Sequence, residues 1–301
     1  MLAEVHGQNF RHPPAAHCPP ELARANLRQP AGAGSNMRTW NPTDYAASSS
    51  TQAVWAKEMI ARLSLRGDEH ILDVGCGDGH LTALLARAVP RGRVVGCDAA
   101  PEMIAHARQR HRRRNLEFAL ADARELRLPG EFDLLFSNAA LHWVDDHRAF
   151  LRAAAKVLRP GGRLMISCGG RGNAAEVFVA LRSELRRTAW REFFRQMEAE
   201  YFFHSAAEYD AWLPAAGFQA VRVCLAAKDA AHPGREGFAA WFRTTWLPYT
   251  QRVPEDRRTD FVNAVTDRYL AKHPPDAAGT VHVRMVRLEI EAVRVGEEET
   301  L

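Results

Sequence analysis

Cysteine is scarce in this 301-residue chain and never closely paired. Cys18, Cys76, Cys97, Cys168 and Cys224 are scattered, odd in number and form no C-x-x-C. That argues against a disulfide scaffold and a zinc ribbon, and it fits a reduced, cytoplasmic setting. No apolar run is long enough to cross a bilayer, so no membrane partner is expected. The first residues hold no apolar signal core, so no secretory leader is expected there. Charge of one sign is missing too: 40 Lys and Arg face 36 Asp and Glu, a net of +4. That surplus is too mild to imply a nucleic-acid partner. The densest basic run, Arg108 to Arg114, falls at the end of an expected helix, where cations suit the dipole, and reads as a solvated face. His6, His12, His17 and Cys18 match no common ligand spacing, so no metal is expected. There is no internal repeat.

Hydrophobic residues make up 47% of the chain and charged residues 25%, the composition of an ordinary globular core. Residues 1–36 differ from the rest. Pro13, Pro14, Pro19, Pro20 and Pro30 punctuate a stretch without apolar periodicity, read as a disordered extension; Met37, just before the first structured signal, leaves a start-site artefact open. Residues 37–295 read as one domain.

Within it, Ile71-Leu-Asp-Val74 has the character of a short buried strand, and Leu81 to Arg87 that of a helix. Between them runs Asp73-Val-Gly-Cys-Gly-Asp-Gly79. Glycines let the backbone turn sharply and approach a ligand closely. A strand, a glycine bend and a helix N-terminus make a nucleotide site. The dinucleotide fingerprint needs a third glycine where His80 stands. Asp73 and Asp78 flank the bend; carboxylates repel a pyrophosphate and attract a cation. S-adenosyl-L-methionine (SAM) carries a sulfonium, an ammonium and no phosphate, and is the expected cofactor. Asp98 ends the second strand, Arg93 to Cys97, where a carboxylate can accept both ribose hydroxyls.

Further strands are expected at 116–120, 132–137, 163–168, 218–226 and 281–292, with helices at 51–63, after Pro101, and at 150–158. The β–α alternation from 70 to 168 predicts an α/β, Rossmann-like, doubly wound and mostly parallel seven-stranded sheet. The cofactor-binding core spans about 52–168. Residues 176–194, 206–216, 238–248 and 258–271 read as helices, so 170–215 and 235–275 are expected as helical lid insertions over the ligand mouth.

The glycine bend, Asp98, Asp122 and Pro160-Gly-Gly162 resemble the motifs of class I SAM-dependent methyltransferases over about residues 40–295. That resemblance implies a transferase in which Gly75 and Gly77 lie against the amino-acid part of SAM, with Asp73, Ala99, Met103 and Asn138 lining the site. It implies that Asp122, helped by the backbone near Ala123, accepts from the adenine amino group. Trp40-Asn-Pro-Thr-Asp-Tyr45, Ser49 to Gln52 and Ser137-Asn-Ala-Ala-Leu-His-Trp-Val144 resemble, more narrowly, the trans-aconitate and juvenile hormone acid methyltransferase group, which methylates carboxylates of small molecules. By that resemblance Gln52 and Trp143 orient the substrate carboxyl.

A carboxylate is already ionised near neutrality and needs only donors to aim it, such as Gln52 and the indole of Trp143. An alcohol or phenol needs a base, for which His142 is the nearest candidate; a structural His142 bonded to backbone is the other reading, and a core role is the other reading of Trp143. Arg171 and Arg243 are candidates for a second acidic group on the substrate, with Trp246 and other cap aromatics lining its pocket. Methylation of another oxygen, nitrogen or carbon, a non-catalytic SAM-binding module, and an NAD-dependent oxidoreductase are the competing functions. His80 and the acidic bend oppose the last.

Overall fold

The computed structural model describes Trp55 and residues 58–129, 131–198 and 200–296. Gln52, the motifs beginning at Trp40 and Ser49, and the extension 1–36 lie outside the described residues. Of the helix expected at 51–63, Trp55 and residues 58–61 are helical and residues 62–63 already form a turn.

Seven strands form one sheet in the order β3-β2-β1-β4-β5-β7-β6. β1 (His70–Val74), β2 (Arg93–Asp98), β3 (Leu116–Leu120), β4 (Phe132–Asn138) and β5 (Leu158–Gly169) are parallel. β7 (Thr280–Arg294) runs antiparallel between β5 and β6 (Phe218–Pro233). The sequence therefore reads correctly as a mostly parallel, seven-stranded α/β sheet.

The parallel strands are nearly continuous apolar runs because both faces are covered. On one face Leu72, Leu135, Leu164 and Ile166 meet Phe150, Leu151 and Ala154 of α3 (His147–Val157) and Tyr209 and Leu213 of α5 (Ala206–Ala215). On the other, Ile71, Leu134, Phe136 and Met165 meet Leu85 and Ala86 of α1 (His80–Ala88) and Ile104 and Ala107 of α2 (Pro101–Arg110). Alternate residues of one strand thus feed two separate cores, as the period of two requires.

β6 and β7 outrun the rest of the sheet. The last rung between β5 and β7 is Gly169 with Arg287, whereas β6 and β7 continue to pair from Ala227 and Val286 out to Pro233 and Thr280. This two-stranded ribbon carries a third core of Val281, Val283 and Ala230. Against it pack α4 (Ala175–Leu185), α6 (Gly234–Thr245) and α8 (Glu255–Leu270), with the short α7 (Leu247–Thr250) beside them.

The expected helix 176–194 is not one piece. α4 stops at Leu185 and a separate 3-10 turn follows at Arg191–Phe194. The break lets Trp190 turn inward, 6% exposed, with its ring 5.3 Å from Phe261 of α8. Similarly, the expected helix 238–248 begins earlier and breaks at buried Trp246. Among the described residues no helix is long and apolar enough to cross a membrane.

Candidate active site

The strand order reverses between β1 and β4, and the crevice beyond their carboxyl ends is where doubly wound sheets take ligands. The glycine bend opens this crevice. Gly75 and Gly77 hold φ of 75° and 54°, a region that suits glycine. The N–H groups of Gly75 and Cys76 donate to the carbonyl of Cys97 at 2.7 and 3.0 Å, stitching the bend to β2. A Cβ on Gly75 would stand 2.1 Å from that of Ala140. The backbone must be bare here for both the turn and the approach of the segment after β4.

Asp98 closes β2. Its Oδ2 accepts from the Gly77 N–H and its Oδ1 from the Ala100 N–H, both at 2.9 Å. Burial raises its pKa against the pull of these N–H groups. Each oxygen keeps a further lone pair. Asp73 is enclosed, 2% exposed, and its Oδ2 accepts from the Thr82 hydroxyl at 2.7 Å. Burial pushes its pKa to about 7; the Thr82 bond works against that, and the charges of Asp98 and Asp78 add to it. Asp73 thus ties β1 to the first turn of α1 and supports the bend from within.

Met103 is buried in the first turn of α2, and Ala99 is exposed just before it. Asp122 follows β3, with half-buried Ala123 next to it. Burial raises the Asp122 carboxyl, but the hydrogen bonds and charge of Arg124 outweigh this and hold it below the usual range. Arg124 forks it, with Nη2 at 2.6 Å from Oδ2 and Nε at 3.0 Å from Oδ1, and extends Nη1 to Asp145 at 2.8 Å. The motif reading did not anticipate this arginine.

The segment after β4 forms the other wall. Ser137 Oγ donates to the carbonyl of Val74 at 2.8 Å, tying the ends of β4 and β1. Ala139 has φ 57° and donates its N–H to the Ser167 carbonyl at 2.8 Å. Leu141–Trp143 is a 3-10 turn. His147 secures it: Nε2–H donates to the Leu141 carbonyl at 2.8 Å, leaving Nδ1 to accept from the Tyr209 hydroxyl at 2.6 Å.

His142 sits in that turn with its ring centroid 6.1 Å from both Tyr201 and Phe203 and 5.3 Å from Trp143. Its Nδ1 accepts the Gly169 N–H at 3.4 Å. Burial, then the charge of Arg287, then that of His147 lower its pKa to about 3. The Trp143 ring lies 4.6 Å from Tyr201, whose hydroxyl donates to the Thr245 carbonyl at 3.1 Å. Trp246 is 5% exposed and 5.7 Å from Tyr201. His142, Trp143 and Trp246 are therefore joined through one tyrosine.

The two arginines singled out in the sequence are both exposed. Arg171 is exposed and ion-paired to Glu208 at 2.7 Å, and Arg243 is exposed on α6. Among the described residues, the buried Lys or Arg is Arg287 on β7, 3% exposed. Its Nε donates to Ser167 Oγ at 3.1 Å; its Nη2 donates to the Ser167 carbonyl at 2.6 Å and to Asn138 Oδ1 at 3.3 Å. Its Cζ lies 5.8 Å over the ring of Trp55. The alternation of β7 was its only sequence signal.

A bend that has no room for a Cβ, edged by Asp78 and Asp98, fits a cationic nucleotide derivative better than a polyphosphate. Comparison with known proteins bears on the same point. Residues 72–166 match the family described as a methyltransferase domain. A trans-aconitate 2-methyltransferase of Methylobacterium nodulans is 31% identical over 264 residues, spanning 86% of this chain and 99% of that one. One from Escherichia coli K12 is 30% identical over 260 residues, spanning 86% and 100%. In fold, the YcgJ protein of Bacillus subtilis is similar with a TM-score of 0.55 at 20% identity, covering 81% of this chain and 100% of that one. A Haemonchus contortus N-methyltransferase, solved with S-adenosylhomocysteine, gives 0.54 at 16% identity, covering 85% and 57%. Matching its relatives from end to end at this identity, the chain belongs to the class I SAM-dependent methyltransferases, alongside those named trans-aconitate 2-methyltransferase, and is an enzyme that uses SAM.

Proposed function

We propose that this methyltransferase acts on a carboxylate oxygen of a small organic acid, of the trans-aconitate kind or more hydrophobic. The observation that carries this reading is the state of His142. Its Nδ1 is taken by a backbone N–H and its pKa lies at about 3, so it is far too weak a base to deprotonate an alcohol near neutrality. A carboxylate, with an ordinary pKa of about 4, arrives ionised and needs no base. The relatives named trans-aconitate 2-methyltransferase support the same acceptor.

Bound SAM supplies a methyl group made electrophilic by its sulfonium. The residues then have to fix, align and exclude water. Asp98 takes the ribose hydroxyls on its remaining lone pairs, and Asp122, steadied by Arg124, faces the adenine amino group. Gly75 and Gly77 give the methionyl end a bare backbone, while Asp73 and Asn138 fix the ends of β1 and β4 around it. Ala99, Met103 and Ala123 line the nucleoside. Gln52 and the Trp143 indole aim one acceptor oxygen, and Trp246 closes the aromatic side. Alignment of this kind is worth up to ~7–11 kcal/mol in intramolecular models.

A labelled-SAM screen over polycarboxylic, fatty and terpenoid acids tests the reading. The product should be a methyl ester, released by mild base, with a rate flat between about pH 6 and 8. A product stable to base, or a rate rising through one ionisation near 7, would overturn it.

A further inference from the structure

A groove of about 450 Å3 runs between the first turn of α4, the last turn of α8 and the ribbon of β6 and β7. That is the size of an ordinary small-molecule pocket. It shares no residue with the cofactor bend or with the aromatic cluster around Tyr201. Most of its polar groups are already engaged. Lys228 is ion-paired to Glu58 at 2.6 Å, and His282 lies between Asp229 at 2.7 Å and Asp276 at 3.1 Å. The Tyr269 hydroxyl donates to the His282 carbonyl at 2.7 Å, and the Tyr269 ring stacks on His273 with 4.6 Å between centroids.

Two charged groups of the groove are not engaged. Among the described residues neither Glu176 nor Arg284 makes a hydrogen bond or an ion pair, with each other or with a third group. Glu176 Oε2 is nevertheless shut off from water, in a setting where a carboxylate oxygen ordinarily meets a donor. Burial, then the charge of Glu176, then that of Asp229 raise the Tyr269 phenol to about 12, which places the Glu176 carboxylate near that ring. Arg284 is exposed on β7. One tie stands between the two: Asn173 Oδ1 accepts from the Val286 N–H at 3.0 Å. Glu176 follows Asn173 by about 5 Å of helix, and Arg284 precedes Val286 by about 7 Å of strand. A simple cation in the groove would face Arg284, and a simple anion would face Glu176. A molecule with both charges on neighbouring atoms satisfies the two at once.

We propose that this groove binds a free α-amino acid, its ammonium on Glu176 and its carboxylate on Arg284. The guanidinium fork suits a carboxylate, and the Tyr269–His273 stack walls the groove beside it. The proposal stands apart from the carboxylate reading above, because it is read by binding and not by methyl transfer.

Calorimetry of the full-length enzyme with glycine, L-alanine, L-glutamate and L-phenylalanine tests it, beside two analogues that each lack one charge. N-acetyl-L-alanine has no ammonium and L-alaninamide no carboxylate; each should bind at least about 10-fold more weakly than L-alanine, the worth of one hydrogen bond between charged groups. Glu176→Gln should weaken L-alanine by about 10-fold and leave N-acetyl-L-alanine unchanged. Arg284→Gln should weaken L-alanine equally and leave L-alaninamide unchanged. SAM affinity within about twofold of wild type shows that each variant is folded; the comparison of analogues on the wild type needs no variant. The proposal is overturned if none of the four amino acids binds at about 10 mM, if the analogues bind as well as L-alanine, or if L-alanine binds both folded variants as it binds the wild type. Displacement of L-alanine by an equal concentration of trans-aconitate would make the groove a site for acids and overturn the amino-acid assignment.

Discussion

Replacing Gly75 by alanine strikes the cofactor bend through two separable costs. The backbone there has φ +75°, a conformation costing an ordinary residue ~1–2 kcal/mol. The new Cβ would also lie 2.1 Å from Ala140 Cβ, an overlap that must be relieved by shifting one segment, at ~1–3 kcal/mol. Together these amount to about 2–5 kcal/mol, a large share of the roughly 5–15 kcal/mol that holds a domain folded. The melting temperature should fall by roughly 4–20 °C, taking 2–4 °C per kcal/mol for a chain of this size. The second substitution Ala140→Gly separates the costs. With the opposing Cβ gone, the nearest atom is Ala140 Cα at 3.5 Å, an ordinary contact. Ala140→Gly should therefore be mildly destabilising alone, yet recover ~1–3 kcal/mol in the Gly75→Ala background, leaving only the backbone cost. Chemical denaturation of the four proteins closes the cycle, and calorimetry with SAM follows the bend. A Gly75→Ala enzyme that melts with the wild type, or a coupling below about 0.5 kcal/mol, would refute the reasoning.

Asp98→Asn should weaken SAM about 10- to 100-fold, since it removes a charged acceptor and turns an amide donor toward the N–H of either Gly77 or Ala100; unchanged affinity by calorimetry would remove Asp98 from the ribose. Asp73→Asn should alter how stability varies with pH. The folded Asp73 carboxyl sits at about 7 against 3.8 for the free group, so its contribution is full below 3.8 and is lost as pH rises toward 7. Asparagine still accepts from Thr82 but cannot ionise, so the stability of the variant relative to wild type should climb by a few kcal/mol between about pH 4 and 7 and then level off. Parallel urea midpoints at pH 4.5, 6 and 8 would contradict this.

The nucleotide half was legible because each of its parts is local. Asp73 to Gly79 are consecutive, and the apolar runs of β1, β2 and β4 announce their own burial. Asp98 follows at the distance one helix and one strand impose. The aromatic cluster was legible only in pieces. His142, Trp143 and Trp246 carried signals as residue types, but their meeting through Tyr201 depends on packing between segments about a hundred residues apart. Arg171 and Arg243 drew attention through aromatic or glycine neighbours in sequence, whereas Arg287 sits in an apolar strand and gains its place only from the β5–β7 register. Pattern likewise did not show that 176–194 breaks, since helical spacing continues through Arg186 and Arg187. What decides the break is the inward turn of Trp190 onto α8.

The ribbon formed by β6 and β7 has a mechanical consequence. It is a cantilever: one end is rooted in the sheet, and the far end bears α4, α6 and α8. Helices riding on such a beam can be exchanged or reshaped without disturbing the five parallel strands. Variation in substrate among enzymes of this build is therefore expected to accumulate outboard of the Gly169–Arg287 rung, with the inboard half left almost untouched.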